Sequence, residues 1–314
     1  MLSKMIDPKK ELFKWGPIYG RPIYFDPFVE AFVEYPASID GSWPDIFGFV
    51  KDDRMIFIAD YAELRDNGEH IFRKYVLDDR KLKKAYDQWI NVTKMFREFE
   101  RFVNKGLSKI KDKELADRIA EWDRIHVDFW ITGFLPELSN WGGEQLLKRK
   151  ILEHDNNNFI EIFERLSAPE KLSFFQKEEL EFMKISLVKD KKRQEKMLKS
   201  HQKNYYWLRN DYGFTRMLDT GYFKDELKKV SEKDAKSKIS EIKGYSAKVK
   251  KEKKRVIKRY KISKEMIKIA SRLAYCVWWQ DYRKSFIFIA NHITSVLLEE
   301  VSRRKGISFD ELCY

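Results

Sequence analysis

The chain has few of the residues that interrupt secondary structure or cross-link a polypeptide. Its 314 residues include only 13 glycines, 8 prolines and 2 cysteines. Because glycine and proline concentrate at turns, their scarcity argues against an all-β or loop-rich fold. Cys276 and Cys313 could form one bridge at most, and neither a disulfide framework nor a zinc-ligand spacing is present.

Long apolar runs are also missing. The most apolar stretch, residues 286–298, is interrupted by polar side chains from position 291 onward, so we expect no transmembrane span. The first eleven residues are charged and contain no apolar signal core. These features predict a cytoplasmic protein that does not bind a membrane.

Sequence motifs for nucleotide and acyl chemistry are absent. The chain has no G-x-x-x-x-G-K-[ST], G-x-G-x-x-G or G-x-S-x-G. The adjacent glycines Gly142 and Gly143 are too few for a phosphate cradle. Asp123 and His126 have the spacing of one di-iron ligand pair, but such a site needs a second pair and two more carboxylates. The sequence therefore predicts no catalytic residue, metal or cofactor in this chain.

Helical periodicity dominates what is present. Apolar residues recur every three or four positions over residues 82–103 and 115–129, and Lys264–Arg304 predicts one very long helix or two stacked helices ending at Gly306. Ser173 and Gln176 have the spacing of a capping box, and the helix they begin is expected to break before Trp207. The fold class predicted is mostly α, a helical bundle with a small N-terminal β-hairpin.

The N-terminal part has a different character. Residues 46–60 contain two alternating apolar runs around Lys51–Arg54, which predict the hairpin. Prolines recur through residues 1–45, so we expect an irregular segment with one short helix at Pro27–Tyr35. The predicted organisation is an aromatic-rich N-terminal segment, residues 1–80, followed by a helical domain, residues 81–314.

Positive charge is abundant and unevenly distributed. The net charge is +13, and residues 246–261 hold nine Lys or Arg and one Glu. Three interpretations stay open: a solvated helix face, a phosphate or nucleic-acid strip, and a membrane-surface helix. The candidate strip consists of Lys248, Lys250, Lys251, Lys253, Lys254, Arg255, Lys258 and Arg259.

Polar residues interrupt two apolar stripes. His201 shares a helical face with apolar neighbours, and Asp281 and His292 do so in the last long helix. Buried polar groups need partners, so these residues belong either to a hydrogen-bonded core or to a ligand pocket. The candidate pocket would bind an anionic small molecule, with Arg283 at its rim as the counter-charge. Its residues are His201, Trp207, Asn210, Tyr212, Asp281, Arg283 and His292.

Two stretches carry a family resemblance: residues 166–179 continuing to 201–212, and residues 281–314. They resemble the helical region that precedes the swivelling phosphohistidine domain in enzymes related to phosphoenolpyruvate synthase and pyruvate phosphate dikinase; rifampicin phosphotransferase is a more distant relative. The resemblance implies a non-catalytic substrate-binding or scaffold region of a phosphotransferase. None of the five histidines follows a Gly-Gly pair, so the phosphoryl-carrying histidine would reside in a separate or missing phosphohistidine domain.

Two other functions fit the same sequence. A basic helical nucleic-acid-binding protein would use the cations of residues 246–261, and an interaction scaffold would bind no ligand. A pocket between residues 201–212 and 281–292 would favour the first function, whereas a continuous basic face would favour nucleic-acid binding.

Overall fold

The chain folds as a mostly helical protein with one small antiparallel sheet, as the fold class predicted. The computed structural model describes residues 10–38, without the side chains of residues 33–38, and residues 46–314. Unit 1 comprises Met1–Leu146, Asp211–Thr215 and Phe286–Tyr314, and unit 2 comprises Leu147–Asn210 and Arg216–Ser285. Within the described residues, no helix is both long and apolar enough to cross a membrane.

The sheet of unit 1 contains the predicted hairpin and one further strand. β2 (Ile46–Lys51) pairs antiparallel with β3 (Arg54–Asp60), which confirms the hairpin. Asp52 and Asp53 connect them at φ 50° and 57°, as a tight two-residue hairpin loop requires. β1 (Leu12–Tyr19) pairs with the other edge of β3. Gly16 and Pro17 disturb the alternation of β1, so its sequence did not predict a strand.

The predicted short helix at Pro27–Tyr35 is wrong in length. α1 covers Pro22–Ser38. Pro22 occupies the first helical position, where its missing N–H costs nothing, and Pro27 removes one helical hydrogen bond. Burial of Phe25 and Phe28, which are 2% and 3% exposed, outweighs that loss. The irregular structure expected of residues 1–9 and 39–45 lies outside the described residues.

The other elements of unit 1 are helical. α2 is Tyr61–Ile71, followed by a π-helical turn at Phe72–Val76; α3 is Asp79–Val103, and α4 is Asp112–Gly133. α5 (Leu135–His154) begins in unit 1, and α11 (Lys264–Lys305) ends there. Gly306 at φ 67° terminates α11 as predicted. A 3-10 turn follows at Glu311–Cys313.

The glycine pair of α5 is a packing feature. A Cβ atom added to Gly142 would lie 1.8 Å from the backbone nitrogen of Glu69 in α2, and a Cβ atom added to Gly68 would lie 2.6 Å from the Leu138 carbonyl oxygen in α5. A Cβ on Gly143 would lie 2.5 Å from the ring of Phe72. α2 and α5 therefore approach each other so closely that only glycine fits between them.

Unit 2 is entirely helical in its regular structure. It contains α6 (Phe159–Ser167), α7 (Phe174–Ser186), α8 (Lys191–Tyr205), α9 (Thr220–Lys228) and α10 (Glu232–Arg259). It also contains residues 147–154 of α5 and 264–285 of α11. The Ser173–Gln176 capping box is present, and the expected break falls between α7 and α8. α7 packs against α8 and α10.

Candidate functional site

The loop that joins α6 to α7 in unit 2 is held from two sides. On the α10 side, the Tyr245 hydroxyl donates to the Pro169 carbonyl at 3.0 Å, and the Ser246 hydroxyl donates to the Glu170 carbonyl at 2.6 Å. On the α11 side, Trp278 Nε1 donates to the Leu172 carbonyl at 3.2 Å. Side chains thus satisfy the backbone acceptors that lack a helical partner, and the loop is fixed against both helices.

Lys171 of this loop lies on an aromatic surface of α11. Its Nζ is 3.7 Å from the ring centre of Trp278 and 4.7 Å from that of Tyr275, which is within cation–π range. The Trp278 hydrogen bond to the same loop fixes the orientation of the ring. Burial lowers the pKa of Lys171, and the nearby charge of Lys177 lowers it further. Among the described residues, no carboxylate lies within ion-pair distance of Lys171.

An open cleft surrounds this lysine, and we call it the Lys171 cleft. Its volume is about 180 Å³, far above the roughly 10–15 Å³ that one water needs. The cleft is lined by Glu170, Lys171, Lys253, Ser271, Arg272, Ala274, Tyr275 and Trp278. Three cations therefore face it, together with a single carboxylate.

That carboxylate is already engaged. Glu170 Oε1 is 3.3 Å from Lys253 Nζ, so the Glu170 carboxylate compensates the positive charge of the buried Lys253. Burial lowers the pKa of Lys253, while Glu170 acts in the opposite direction. The remaining charge of the cleft is positive, and its cations can donate hydrogen bonds to a phosphate or carboxylate group.

The described residues that line the cleft also include a serine, Ser271. Ser271 has no histidine or carboxylate hydrogen-bonded to its hydroxyl in the described structure. The part of the chain that the structure describes also contains no cluster of three or more His, Cys, Asp or Glu side chains able to hold a metal ion. The cleft thus presents three cations beside two aromatic rings.

His201 is buried in unit 2, as its apolar stripe predicted. The side chain is 0% exposed; its Nδ1 lies 3.1 Å from Glu181 Oε1 and its Nε2 lies 3.0 Å from Glu178 Oε1. Burial opposes the charged imidazole, but the hydrogen bonds and negative charges of the two glutamates together raise the pKa of His201. Both ring nitrogens contact glutamates of α7, so His201 links α8 to α7.

Three other candidate residues of unit 2 also have internal partners or are buried. Asn210 Oδ1 accepts from the backbone N–H of Arg216 at 2.7 Å. Asp281 is half-buried, and its Oδ2 accepts from the backbone N–H of Phe174 at 3.2 Å. Trp207 is 2% exposed. These contacts fix the connections around α7, α8 and α11.

The predicted rim position of Arg283 is wrong. Arg283 is only 4% exposed, whereas its neighbour Lys284 is exposed. Trp278, Trp279 and Ser285 are buried as well, and at 100° per residue these positions cover a wide arc of α11. The helix is enclosed on several sides here, so a residue that flanks the apolar stripe is buried too.

Tyr212 and His292 belong to unit 1. The Tyr212 ring stacks on Phe25 with centres 4.6 Å apart, and its carbonyl accepts from the backbone N–H of Arg21 at 2.8 Å. His292 Nε2 lies 3.0 Å from Asn104 Oδ1, and burial lowers the pKa of His292 to about 4. The seven candidate pocket residues are thus distributed between the two units.

The Asp123–His126 pair does not converge on one site in unit 1. Asp123 is exposed, and His126 is 1% exposed among aromatic rings of α3 and α4. Burial lowers the pKa of His126 to about 3, so its ring is neutral across the physiological range.

The basic strip of α10 divides into two groups. Lys253 is 9% exposed and paired with Glu170, so its place in the candidate phosphate or nucleic-acid strip is wrong. It lies on the same packed face of α10 as Val256. Arg255 and Arg259 lie 3.2 Å and 3.6 Å from Glu161. Lys248, Lys250, Lys251, Lys254 and Lys258 are exposed.

Sequence reasoning did not assign Glu170, Lys171 or Tyr275 to a site. Ala168 and Pro169 indicate a loop, but no pattern connects that loop with residues more than a hundred positions later. Trp278 lies three positions before Asp281 in the sequence, and this large aromatic residue beside a polar one is a signal that could have pointed to the region.

Comparisons with protein-family models, with curated proteins and with solved structures found no match to this chain.

Proposed function

We propose that the chain is a non-catalytic substrate-binding region of a phosphohistidine-type phosphotransferase, and that it binds a small anion in the Lys171 cleft. The observation that carries the binding proposal is the position of Lys171. Its ammonium stands at an open cleft without a carboxylate partner in the described structure, and Lys253 and Arg272 line the same cavity. An anion in the cleft would accept a charge-assisted hydrogen bond from Lys171.

The chemical class of the ligand follows from the lining. Trp278 and Tyr275 provide an apolar wall next to the three cations, the combination of surfaces that orients small ligands in proteins. A compact phosphate or carboxylate group fits the cation cluster, and the attached carbon skeleton fits the aromatic wall. The resemblance of residues 166–179, 201–212 and 281–314 to phosphoenolpyruvate-utilising enzymes supports the phosphotransferase part of the proposal.

The proposal assigns binding, and not phosphoryl transfer, to this chain. The sequence has no Gly-rich phosphate loop and no histidine after a Gly-Gly pair. Incubation with labelled ATP or phosphoenolpyruvate is therefore expected to leave the purified chain unlabelled. Stable acid-labile label on any of the five histidines would contradict the non-catalytic assignment.

Calorimetric titration tests the binding site. Inorganic phosphate, phosphoenolpyruvate and pyruvate are titrated into the purified protein and into the variant Lys171→Met. Loss of one charge-assisted hydrogen bond weakens binding by roughly 1.5–3 kcal/mol, or about 10–150-fold. The control Lys184→Met removes an exposed lysine of α7 with the same change in charge. Equal effects of the two variants, or no binding of any anion at millimolar concentration, would refute the site.

A further inference from the structure

The positive charge of the chain resides in unit 2. Counted from the sequence, unit 2 has 37 Lys and Arg against 19 Asp and Glu, a net charge of +18. Unit 1 has 26 against 31, a net charge of −5, and the two values give the +13 of the whole chain. A partner attracted by charge would therefore be directed to unit 2.

Within unit 2, five exposed lysines of α10 form a row that we call the α10 stripe. It consists of Lys243, Lys250, Lys251, Lys254 and Lys258. At 100° per residue they lie within an arc of about 100° on one side of the helix, and at about 1.5 Å per residue they extend over roughly 22 Å. None of the five has an ion-pair partner among the described residues.

Several other cations of α10 are paired with carboxylates. Lys253 is paired with Glu170, Arg255 with Glu161 and Glu252, and Lys236 with Glu232. In the stripe, by contrast, like charges follow each other at a spacing of four residues, from Lys250 to Lys254 and on to Lys258. Such pairs of like charge destabilise a helix, and a bound polyanion would remove this repulsion.

We propose that the α10 stripe binds the phosphate backbone of a double-stranded nucleic acid without reading its sequence. A straight row of cations about 22 Å long matches the closely spaced phosphates of a duplex. Lysine contacts phosphates as a point charge, and the stripe has no exposed arginine that could read guanine in a groove.

The stripe also lacks the stacking surfaces that single strands need. The aromatic residues nearest to it in the sequence are Tyr245 of α10 and Tyr260, which directly follows the helix, and both are half-buried. The Tyr245 hydroxyl donates to the Pro169 carbonyl, and the Tyr260 hydroxyl donates to Glu161. With these rings directed to internal partners, the stripe offers charge alone, which favours a duplex over unpaired bases.

The α10 stripe and the Lys171 cleft share no residue. None of the five stripe lysines lines the cleft, and Lys171 is not part of the stripe. Lys171→Met is therefore expected to leave duplex binding unchanged, while neutralisation of the stripe is expected to leave the binding of inorganic phosphate unchanged.

Fluorescence anisotropy with labelled 24-base-pair DNA, 24-base-pair RNA and a matched single strand tests the stripe between 50 and 300 mM NaCl. The stripe variant is Lys250→Gln, Lys251→Gln, Lys254→Gln and Lys258→Gln combined. The control, Lys191→Gln, Lys192→Gln, Lys196→Gln and Lys203→Gln, removes four exposed lysines of α8 and changes the net charge equally. Circular dichroism verifies that both variants are folded.

The wild-type protein is expected to bind the duplexes with a log–log salt slope of about −3 to −5, since each neutralised phosphate contributes about −0.9. The stripe variant should lose at least tenfold affinity at 100 mM NaCl with a shallower slope, and the control less than threefold. If the stripe variant does not fold, lysine acetylation of the wild-type protein replaces it: a duplex should protect Lys250, Lys254 and Lys258 more than Lys191 and Lys192.

A preference for DNA or RNA supports the proposal and identifies the duplex. Equal losses in the stripe variant and the control would overturn it, because net charge alone would then explain binding. Tighter binding of the single strand than of either duplex would also overturn it. So would stripe-dependent binding to phosphatidylserine vesicles without duplex binding, because the partner would then be a membrane surface.

Discussion

The Lys171 ammonium lies 3.7 Å from the centre of the Trp278 ring. Trp278 is itself hydrogen-bonded to the Leu172 carbonyl, so the ring and the lysine backbone are held in one assembly. The lysine stem has four rotatable bonds between its backbone and the ammonium. The ammonium can therefore exchange the ring face for an anion in the same cleft, while the loop keeps its position.

As the pH rises, anion binding in the Lys171 cleft should weaken earlier than it would if Lys171 had the ordinary pKa of a lysine. The pKa of Lys171 is lowered from 10.5 by burial and by the charge of Lys177, and only the protonated amine attracts an anion. As pH rises through the lowered pKa, this attraction is lost. Calorimetry with inorganic phosphate from pH 8 to 10.5 measures the effect.

The variant Lys171→Arg serves as the control for that titration. A guanidinium stays charged beyond this pH range, so the variant should lose less phosphate binding than the wild-type protein as the pH rises. A parallel decline in both proteins would show that another group controls the pH dependence.

His201 should make the stability of the protein depend on pH. Burial opposes its charged form, but Glu178 and Glu181 raise the pKa of His201 above its unfolded value of 6.5. The folded state therefore binds the proton more tightly, and this stabilisation is complete below pH 6.5 and is lost as pH rises through the folded pKa. Urea unfolding between pH 5.5 and 9 should show a decline in the free energy of unfolding over that window.

The variant His201→Gln should flatten this decline and lower the free energy of unfolding at pH 6 by about 1–3 kcal/mol, since two glutamates lose a charged partner. His70→Gln changes an exposed histidine and should preserve the wild-type profile. An unchanged slope in His201→Gln would mean that the imidazole does not carry the proton.

Arg283 should contribute to stability because it is buried. Its exposure is 4%, and replacement by alanine removes a large side chain and its polar contacts from the interior. We expect Arg283→Ala to reduce the free energy of unfolding by roughly 1–3 kcal/mol. The neighbouring exposed Lys284 provides the comparison, since Lys284→Ala should change the free energy of unfolding by less than about 0.5 kcal/mol. Equal stability of the two variants in urea unfolding would contradict the burial.

Sequence patterns that extend over a few residues correctly predicted the structural features that depend only on neighbouring residues. The Ser173–Gln176 capping box, the hairpin at residues 46–60 and the end of α11 at Gly306 all follow from interactions within a few positions. The length of α1 could not be predicted from such local patterns, because tertiary burial of Phe25 and Phe28 outweighed the helix-breaking effect of Pro27.

Local sequence patterns also predicted only part of the candidate sites. Periodicity placed His201 in the interior, since one apolar face is enough for that inference. It could not reveal that α11 is enclosed around Arg283, because the sequence does not show how many neighbours a helix has. The Lys171 cleft combines a loop, α10 and α11, and no local pattern brings Lys171 to Trp278.

Replacement of glycine by alanine should have opposite effects on stability at two positions, and the first is Gly142, where α2 and α5 approach closely. A Cβ at Gly142 would lie 1.8 Å from the Glu69 nitrogen and 2.1 Å from the Gly68 carbonyl carbon. Both atoms are backbone, so no flexible side chain can move aside and the helices would have to separate. Gly142→Ala should therefore lower the free energy of unfolding by about 1–3 kcal/mol or more, as overpacking does elsewhere.

Gly244 of α10 provides the matched control, since a Cβ there would meet nothing within 4 Å. Alanine in an exposed helix interior loses less backbone entropy on folding than glycine, so Gly244→Ala should raise the free energy of unfolding by about 0.5–1 kcal/mol. Thermal and urea unfolding of the two variants would show opposite signs for the same substitution. Stabilisation by Gly142→Ala would mean that α2 and α5 do not pack backbone to backbone.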